Sequence, residues 1–277
     1  MKKLFYLLAL VAGSLAFTSC DDFQDEHNEF PWKPSATKLN TSDSRVGRMC
    51  TANGVITDNN AEAEGIIFAV DGNTAYLCAF TDLLVADEPI GREYYWILKA
   101  TAWSSTYDTL PIGTGKYDAN GNEQTEITDG EILTDMIVAD TTLKSSAAKD
   151  CRAYFRQHYY TDKNAHAADT AFKASQGEWY LPSAQELEAL VKSKNKINDI
   201  YLDGHVLSDS IIPTTHFTAI GGGRGYAYWS STEFNASTAW YRIVNDNSIS
   251  YLLKTIADGG TFVSKMCVRP IRKVTLQ

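Results

Sequence analysis

The sequence predicts an α+β fold with a mainly antiparallel sheet and two helices. Three observations support this class: a strong hairpin signal near residue 72, two segments with helical spacing in the middle of the chain, and several short aromatic or β-branched runs in its last third. Strands followed by helices and then by strands again are typical of an α+β domain rather than of repeated βαβ units.

The composition of the 277-residue chain excludes several classes of protein. With 44% hydrophobic and 21% charged residues, the chain is neither disordered nor collagen-like, and it does not cross a membrane several times. The formal net charge is -9, and an acidic surface repels phosphate backbones. We therefore expect no binding to nucleic acid.

Residues 1–19 are predicted to be a lipoprotein signal peptide. Lys2 and Lys3 precede an apolar run at 4–17, which is shorter than the roughly 20 residues that a helix needs to span a bilayer. The small residues that follow lead to Cys20, and this ending resembles the lipobox of bacterial lipoproteins, in which the cysteine becomes the acylated N-terminus. The alternative is an ordinary signal peptide with an incidental cysteine.

Residues 20–44 are predicted to form a flexible acidic tether, and residues 45–277 a single domain. After Cys20 the tether begins with the acidic run Asp-Asp-Phe-Gln-Asp-Glu, and it has little hydrophobic periodicity. An acidic patch directly after the lipidated cysteine resembles the surface-export signal of some Gram-negative lipoproteins, whereas in other bacteria an aspartate there signals inner-membrane retention. The preferred interpretation is a lipid-anchored envelope protein exposed on the outer membrane.

The first strands of the domain are predicted from a hairpin. Two apolar runs at 65–70 and 74–80 flank Asp-Gly-Asn, and glycine tolerates the positive φ of a tight turn. Both faces of these strands are apolar, so we expect the hairpin to lie centrally in its sheet. Residues 95–103 form another strand candidate, and 113–129 are predicted to be an exposed loop.

Two helices are predicted. The first covers 146–159, where Ala148, Cys151, Phe155 and Tyr159 share one face.

The second helix begins at Ser183, which forms a capping box with Glu186. Its buried face is predicted to consist of Leu187, Leu190 and Val191. After the helices, four strands are expected at 226–232, 239–244, 249–254 and 261–269. Pro270 lacks a backbone donor, so the last strand should end there or lie at an edge.

Several motifs occur in the order found in a known family. They are Thr-Asp-Gly at 128–130 with Asp-Met-Ile at 135–137, Ser-Ala-Ala at 146–148 with Cys-Arg at 151–152, Trp-Tyr-Leu-Pro-Ser at 179–183, Tyr-Trp-Ser-Ser-Thr-Glu at 228–233, Ala-Trp-Tyr at 239–241 and Val-Arg-Pro-Ile-Arg at 268–272. Together they resemble the C-terminal lectin-like domain of bacterial collagen-like (Lcl) proteins, a domain that recurs in secreted bacterial lipoproteins. The resemblance covers residues 65–272 and implies a C-type-lectin-like fold, related in shape to formylglycine-generating enzymes.

The tryptophans and arginines of these motifs also have a structural interpretation. Trp179, Trp229 and Trp240 are expected to fill the core, because aromatic side chains dominate burial. Arg269 and Arg272 are expected to pair with acidic residues near the C-terminus.

Four cysteines follow Cys20, and an exported protein with an even number can form two disulfides in three ways. The alternative is four buried, reduced thiols. The family resemblance implies a bond between Cys151 and Cys267, which leaves Cys50 to pair with Cys78.

Catalytic and metal-binding signatures are mostly absent from the sequence. The five histidines show no metal-ligand spacing, and the glycine-rich run at 221–225 lacks the lysine of a phosphate-binding loop. The formylglycine-generating relatives use a closely spaced cysteine pair near the C-terminus, whereas only Cys267 lies there. We therefore predict no enzymatic activity, no catalytic residues and no bound metal, with calcium as the one open question.

Calcium or a sugar would need oxygen ligands and exposed aromatic faces. The candidate ligand contacts are Trp229, Glu233, Asn235, Trp240, Asn245 and Asp246. The alternative interpretation of the last two is an ordinary polar turn.

The predicted function is that of an exported, lipid-anchored protein whose lectin-like domain binds an extracellular glycan or surface protein. The membrane is its other expected partner, through the anchor. A structural or adhesive subunit of a surface fibre is the first alternative, and a formylglycine-generating-like enzyme is the second.

Overall fold

A computed structural model describes residues 39–80, 82–83, 94–99, 127–141, 143–156, 172–199, 227–254 and 265–277. It has an α+β fold with mainly antiparallel sheets, as predicted. The strands are β1 (Met49–Cys50), β2 (Ile56–Thr57), β3 (Gly65–Asp71), β4 (Thr74–Cys78), β5 (Tyr94–Tyr95), β6 (Ile97–Lys99), β7 (Leu143–Ser146), β8 (Ala227–Glu233), β9 (Thr238–Ile243), β10 (Ile249–Leu253), β11 (Lys265–Met266) and β12 (Ile271–Thr275). The helices are α1 (Gly130–Ala139), α2 (Ala147–Ala153), α3 (Ala184–Lys192) and α4 (Lys194–Asn198).

The largest sheet has five antiparallel strands in the order β12-β4-β3-β1-β2. The predicted hairpin is confirmed as β3 and β4, and it lies inside this sheet as expected. Asp71 pairs with Thr74, so Gly72 and Asn73 form the turn between them. Gly72 has a φ of 58°, which a side chain with a Cβ atom rarely adopts.

The segment before β1 packs against the same sheet. Asn40 forms an antiparallel bridge with Val70 in β3. Residues 39–44, which the sequence interpretation assigned to the tether, therefore belong to the folded domain, and the boundary at residue 44 was placed too late. The rest of the predicted tether and the signal peptide lie outside the described residues.

The second sheet consists of β8, β9 and β10, joined in chain order. Its strands match three of the four predicted in the last third of the chain to within one residue. The fourth prediction, 261–269, is wrong in the described part, where the strand covers Lys265–Met266 alone and pairs with β5. The chain forms β12 directly after Pro270, and β12 lies at an edge of the five-stranded sheet.

The helices differ from the prediction in number and length. The described residues contain four α-helices rather than two. α2 starts after its Ser146 cap as expected, but it ends at Ala153 because Tyr154 adopts an extended conformation, with ψ at 143°. Phe155 therefore does not continue the buried helical face, and Tyr159 lies outside the described residues.

α3 has the predicted capping box. The Ser183 hydroxyl accepts from the Glu186 N–H, and the Glu186 carboxylate accepts from the Ser183 N–H at 2.8 Å. Its buried face includes the three predicted residues, Leu187, Leu190 and Val191. The prediction is therefore confirmed at both the start and the packing face of the helix.

α1 was not predicted as a helix. It begins after Asp129, whose side chain accepts from the Glu131 and Ile132 N–H groups. Its first residue, Gly130, packs against the start of α3. A Cβ atom at Gly130 would lie 2.5 Å from Ser183 N, and it would also contact the Glu186 carboxylate.

This close approach makes Gly130→Ala a test of the contact between α1 and α3. Alanine favours a helix over glycine by about 1 kcal/mol, yet we expect the variant to lower the free energy of unfolding by about 1–3 kcal/mol because the extra methyl overpacks the contact. Urea denaturation measures the change. Gly72→Asn is the control, because asparagine tolerates positive φ and nothing lies within 4 Å of that site. An unchanged or more stable Gly130→Ala variant would contradict the contact.

Candidate functional site

The six predicted ligand contacts lie on the three-stranded sheet but do not form one site. Glu233 and Asn235 lie at the turn between β8 and β9, whereas Asn245 and Asp246 lie in the turn between β9 and β10. The six residues of β9 separate these turns by about 17 Å at 3.4 Å per residue. The structure therefore divides these residues between two separate turns.

The two tryptophans of that set belong to the core. Trp229 is fully buried and packs edge-on against Tyr241, with the ring centroids 6.1 Å apart. Trp240 is 6% exposed and contacts Phe234 and Tyr251. Neither ring offers an open face to a sugar, so the core interpretation is confirmed.

Trp179, the third tryptophan, is also fully buried, as predicted. Its indole N–H donates to Glu64 at 3.3 Å.

Glu233 is held in a buried ion pair with Lys254. Both side chains are almost completely excluded from solvent. The Lys254 ammonium also donates to the Ala236 carbonyl oxygen at 2.9 Å and lies 4.9 Å from the Trp96 ring centroid. Burial lowers the pKa of Lys254 to about 8, although the Glu233 carboxylate opposes this shift. The pair joins the end of β10 to the end of β8, and its lysine neutralises the carboxylate that was considered as a calcium ligand.

Asn235 stabilises its own turn. Its Oδ1 atom accepts from the backbone N–H and the hydroxyl of both Ser237 and Thr238, at distances of 2.8 to 3.1 Å. Four donors therefore already surround the side-chain oxygen that was proposed as a ligand.

Asn245 and Asp246 are exposed and lie in a polar turn, which agrees with the alternative interpretation given for them. The Asp246 carboxylate accepts from the N–H and the hydroxyl of Ser248, at 2.9 and 2.7 Å. Asn247 has a φ of 59°, which asparagine tolerates in turns. In the part of the chain that the structure describes, no group of three or more His, Cys, Asp or Glu side chains could hold a metal ion.

The predicted disulfide between Cys50 and Cys78 is absent, because a strand lies between the two residues. Cys50 in β1 pairs with Gly65 in β3, while Cys78 in β4 pairs with Ile66 in β3. Two strand spacings place the Cα atoms about 9.6 Å apart, beyond the roughly 7 Å limit of a disulfide. The two side chains also belong to different core clusters.

The predicted Cys151–Cys267 disulfide is absent as well. All four cysteines are buried thiols, and Cys151 and Cys267 pack in separate core clusters. Burial raises the pKa of the Cys50 thiol to about 11 and that of Cys78 to about 12. Buried thiols that stay protonated are poor nucleophiles.

The two C-terminal arginines pair with acidic residues that lie far from them in sequence, which corrects the expected location of their partners. Arg269 contacts Asp82 at 2.7 Å and donates to the Ala79 carbonyl oxygen at 2.9 Å. Arg272 contacts Glu64 at 3.4 Å and also pairs with Glu178. The pairs with Asp82 and Glu64 are buried and attach the C-terminal segment to the first third of the domain.

Glu186 is a buried acidic group with several partners, and only its role as a capping residue was apparent in the sequence. One carboxylate oxygen accepts from the Ser183 N–H and, at 3.1 Å, from the Gly130 N–H. The other accepts from the Tyr180 hydroxyl at 3.0 Å. Burial raises the pKa of Glu186 to about 7, against the opposing effects of the Ser183 N–H and the Lys273 ammonium. Glu186 is 3% exposed and both of its carboxylate oxygens accept hydrogen bonds, so this carboxylate stabilises the fold and is not accessible to a substrate.

Few large hydrophobic side chains are exposed among the described residues. A groove of about 550 Å³ next to the β3–β4 turn is lined in part by Asp43 and Arg45, which pair with each other at 2.8 Å.

Tyr251 in β10 is 47% exposed and stacks on Phe234, with the ring centroids 4.1 Å apart. The sequence analysis missed this aromatic pair because the two residues are far apart along the chain.

A scan against models of known protein families finds no match to this chain, and a search of curated proteins finds no significant relative. Among the described residues, no helix has the length and apolar character required to cross a membrane.

The raised pKa of Glu186 predicts that the protein loses stability as the pH rises. The folded state binds the proton more tightly than the unfolded state, whose glutamate pKa is 4.5. The resulting contribution, roughly 3 kcal/mol for a shift of this size, is fully present below pH 4.5 and is lost as the pH rises through about 7. We expect the free energy of unfolding of the wild type to fall relative to that of Glu186→Gln over this range. Urea denaturation at several pH values measures the change.

Glu188→Gln is the matched control, because Glu188 lies in the same helix and is partly exposed. Its stability difference from the wild type should stay nearly constant between pH 5 and 7. A Glu186→Gln difference that is equally constant would contradict the raised pKa.

Proposed function

We propose that this chain is an exported, lipid-anchored lipoprotein whose domain recognises a glycan or a protein outside the cell. The observation that carries the proposal is the leader, in which a basic start and a short apolar run end in Phe-Thr-Ser-Cys at residue 20. The acidic residues after Cys20 and the compact domain that follows fit an anchored protein displayed on the outer membrane. The proposed location is therefore the cell surface.

The proposed fold of the domain is C-type-lectin-like. It is supported by the α+β class and by the places that the family-like motifs occupy in the domain. The motif at 179–183 leads into α3, the motif at 228–233 forms most of β8, and the motif at 239–241 lies in β9. Trp229 and Tyr241, which come from two of these motifs, pack against each other. The motifs thus supply the core contacts that hold the second sheet together.

The proposed recognition surface must differ from the six residues first chosen. Trp229, Glu233 and Trp240 are buried, and Asn235 is surrounded by its own turn. Of the six residues, only Asn245 and Asp246 are exposed, so we propose that the polar turn at 245–248 contacts the ligand. No catalytic step is proposed, because the buried acids and bases described above are engaged with one another.

A second candidate function is that of a subunit in a surface assembly. The observation that favours it is the edge of the three-stranded sheet, where β10 carries an exposed aromatic residue and no charged side chain. Such an edge is a template for pairing with another strand.

The anchor is tested with Cys20→Ala. We expect the wild-type protein to partition into the detergent phase of Triton X-114 and to carry fatty acid on its first mature residue, because several acyl chains hold a protein firmly in a membrane. The variant should lose both properties. Ser19→Ala keeps the cysteine and should behave as the wild type. A wild-type protein without fatty acid by mass spectrometry would refute the anchoring proposal.

Recognition of a glycan is tested by thermal shift of the purified mature protein against a glycan panel, with calcium and with EDTA. A ligand at 100 times its Kd stabilises the folded state by about 2.7 kcal/mol, which raises Tm measurably. Asp246→Ala should abolish a shift that depends on the 245–248 turn, whereas Ile132→Ala, at an exposed site on α1, should not. An unchanged Tm with every glycan would exclude binding to the glycans of this panel, and a protein would then be the proposed partner.

A further inference from the structure

The outer edge of β10 has backbone groups available for pairing. Ile243 N–H donates to the Ser248 carbonyl oxygen, and Lys254 N–H donates to the Ser237 carbonyl oxygen. These two bonds fix the alternation along the strand, so the N–H and C=O groups of residues 250 and 252 point to β9. Those of 249, 251 and 253 point away from the sheet. In the described ranges, no hydrogen bond from these three residues to another strand is formed.

The side chains of β10 do not protect this edge. Its sequence is Ile-Ser-Tyr-Leu-Leu, without proline or charge, and every residue is at least partly exposed. Natural edge strands are usually short, charged, bulged or covered. By comparison, β12, an edge of the other sheet, carries Arg272 and Lys273. An uncharged five-residue edge with a 47% exposed tyrosine at its centre therefore indicates a strand that is covered in the working protein.

We propose that β10 pairs antiparallel with β10 of a second copy of this chain, about a twofold axis at Tyr251. In this register Tyr251 lies opposite Tyr251 of the partner subunit, and Ile249 lies opposite Leu253 of the partner subunit. Each of these positions exchanges two N–H···O bonds with its counterpart, so every outward backbone group of the strand is satisfied. The two three-stranded sheets become one six-stranded sheet.

A second copy fits this edge because the edge is complementary to itself. The strand places a central tyrosine between two aliphatic residues at equal spacing, and a twofold axis brings these like groups together. The chain has a net charge of -9, but no charged side chain meets another across this strand pair. The two tyrosines also extend the aromatic contacts of Phe234 and Trp240 across the axis, and cross-strand aromatic pairs stabilise a sheet.

The pairing is tested by cysteine cross-linking of the full-length protein in intact cells. Residues opposite each other in such a ladder have Cα atoms about 5.5 Å apart, which lies within disulfide range. Tyr251→Cys should therefore give a band at twice the monomer mass on a non-reducing gel, and reductant should remove it. Ile132→Cys is the matched control, because Ile132 is exposed to a similar degree on α1 and should give no such band.

A second substitution separates strand pairing from random collision. Ile249→Pro removes an N–H that points outward, so the ladder between β9 and β10 keeps its bonds. Combined with Tyr251→Cys, it should reduce the cross-linked fraction at least several-fold while the melting temperature changes little. Tyr251→Lys, which places two ammonium groups opposite each other, should give a monomer by sedimentation of the concentrated purified protein, where the wild type gives a dimer.

Three results would overturn the proposal. They are the absence of a dimer band for Tyr251→Cys, an equal band for Ile132→Cys, and a cross-link to a protein of a different mass. The strand contact itself involves no lipid, and the detergent partition of the same samples reports the anchor separately. A soluble protein that still cross-links through residue 251 would therefore refute the anchor and support the pairing.

Discussion

One buried carboxylate, that of Glu186, joins parts of the chain that are far apart in sequence. It accepts from the N–H groups at the starts of α1 and α3 and from the Tyr180 hydroxyl. Tyr180 in turn bridges Ile271, so the start of β12 is tied to the same point. Gly130 is required here, because a side chain would occupy the space of the carboxylate. The contact between the starts of the two helices, and the attachment of β12 to it, depend on this carboxylate.

The other buried charges act in the same way at other places in the domain. The pair between Lys254 and Glu233 holds the last strand of the second sheet, and the Arg269–Asp82 pair holds the C-terminal segment. Removing one partner of such a pair costs about 3–5 kcal/mol, since the other charge stays buried without compensation. These acids and bases therefore stabilise the fold.

The sequence predicted elements whose signals are local, and it failed where the signal lies between distant segments. The hairpin turn and the Ser183 capping box are encoded within a few residues, and both are confirmed. α1 was missed because two of its buried positions are Gly130 and Thr134, which weaken the apolar periodicity. The candidate ligand residues are divided between two places because neighbouring turns of a meander alternate between opposite ends of the sheet. A strand inserted between Cys50 and Cys78 could not be read from their spacing.

Membrane anchoring and strand pairing would reinforce each other. Chains that are held on one surface by acyl groups move in two dimensions, so their effective concentration greatly exceeds that in the surrounding solution. An edge of five residues buries little area, and on its own it would give weak association. Confinement compensates for this weakness without any new contact. Pairing that is only partial in dilute solution can therefore become complete on the membrane, and a dimer presents two copies of each exposed turn to a partner.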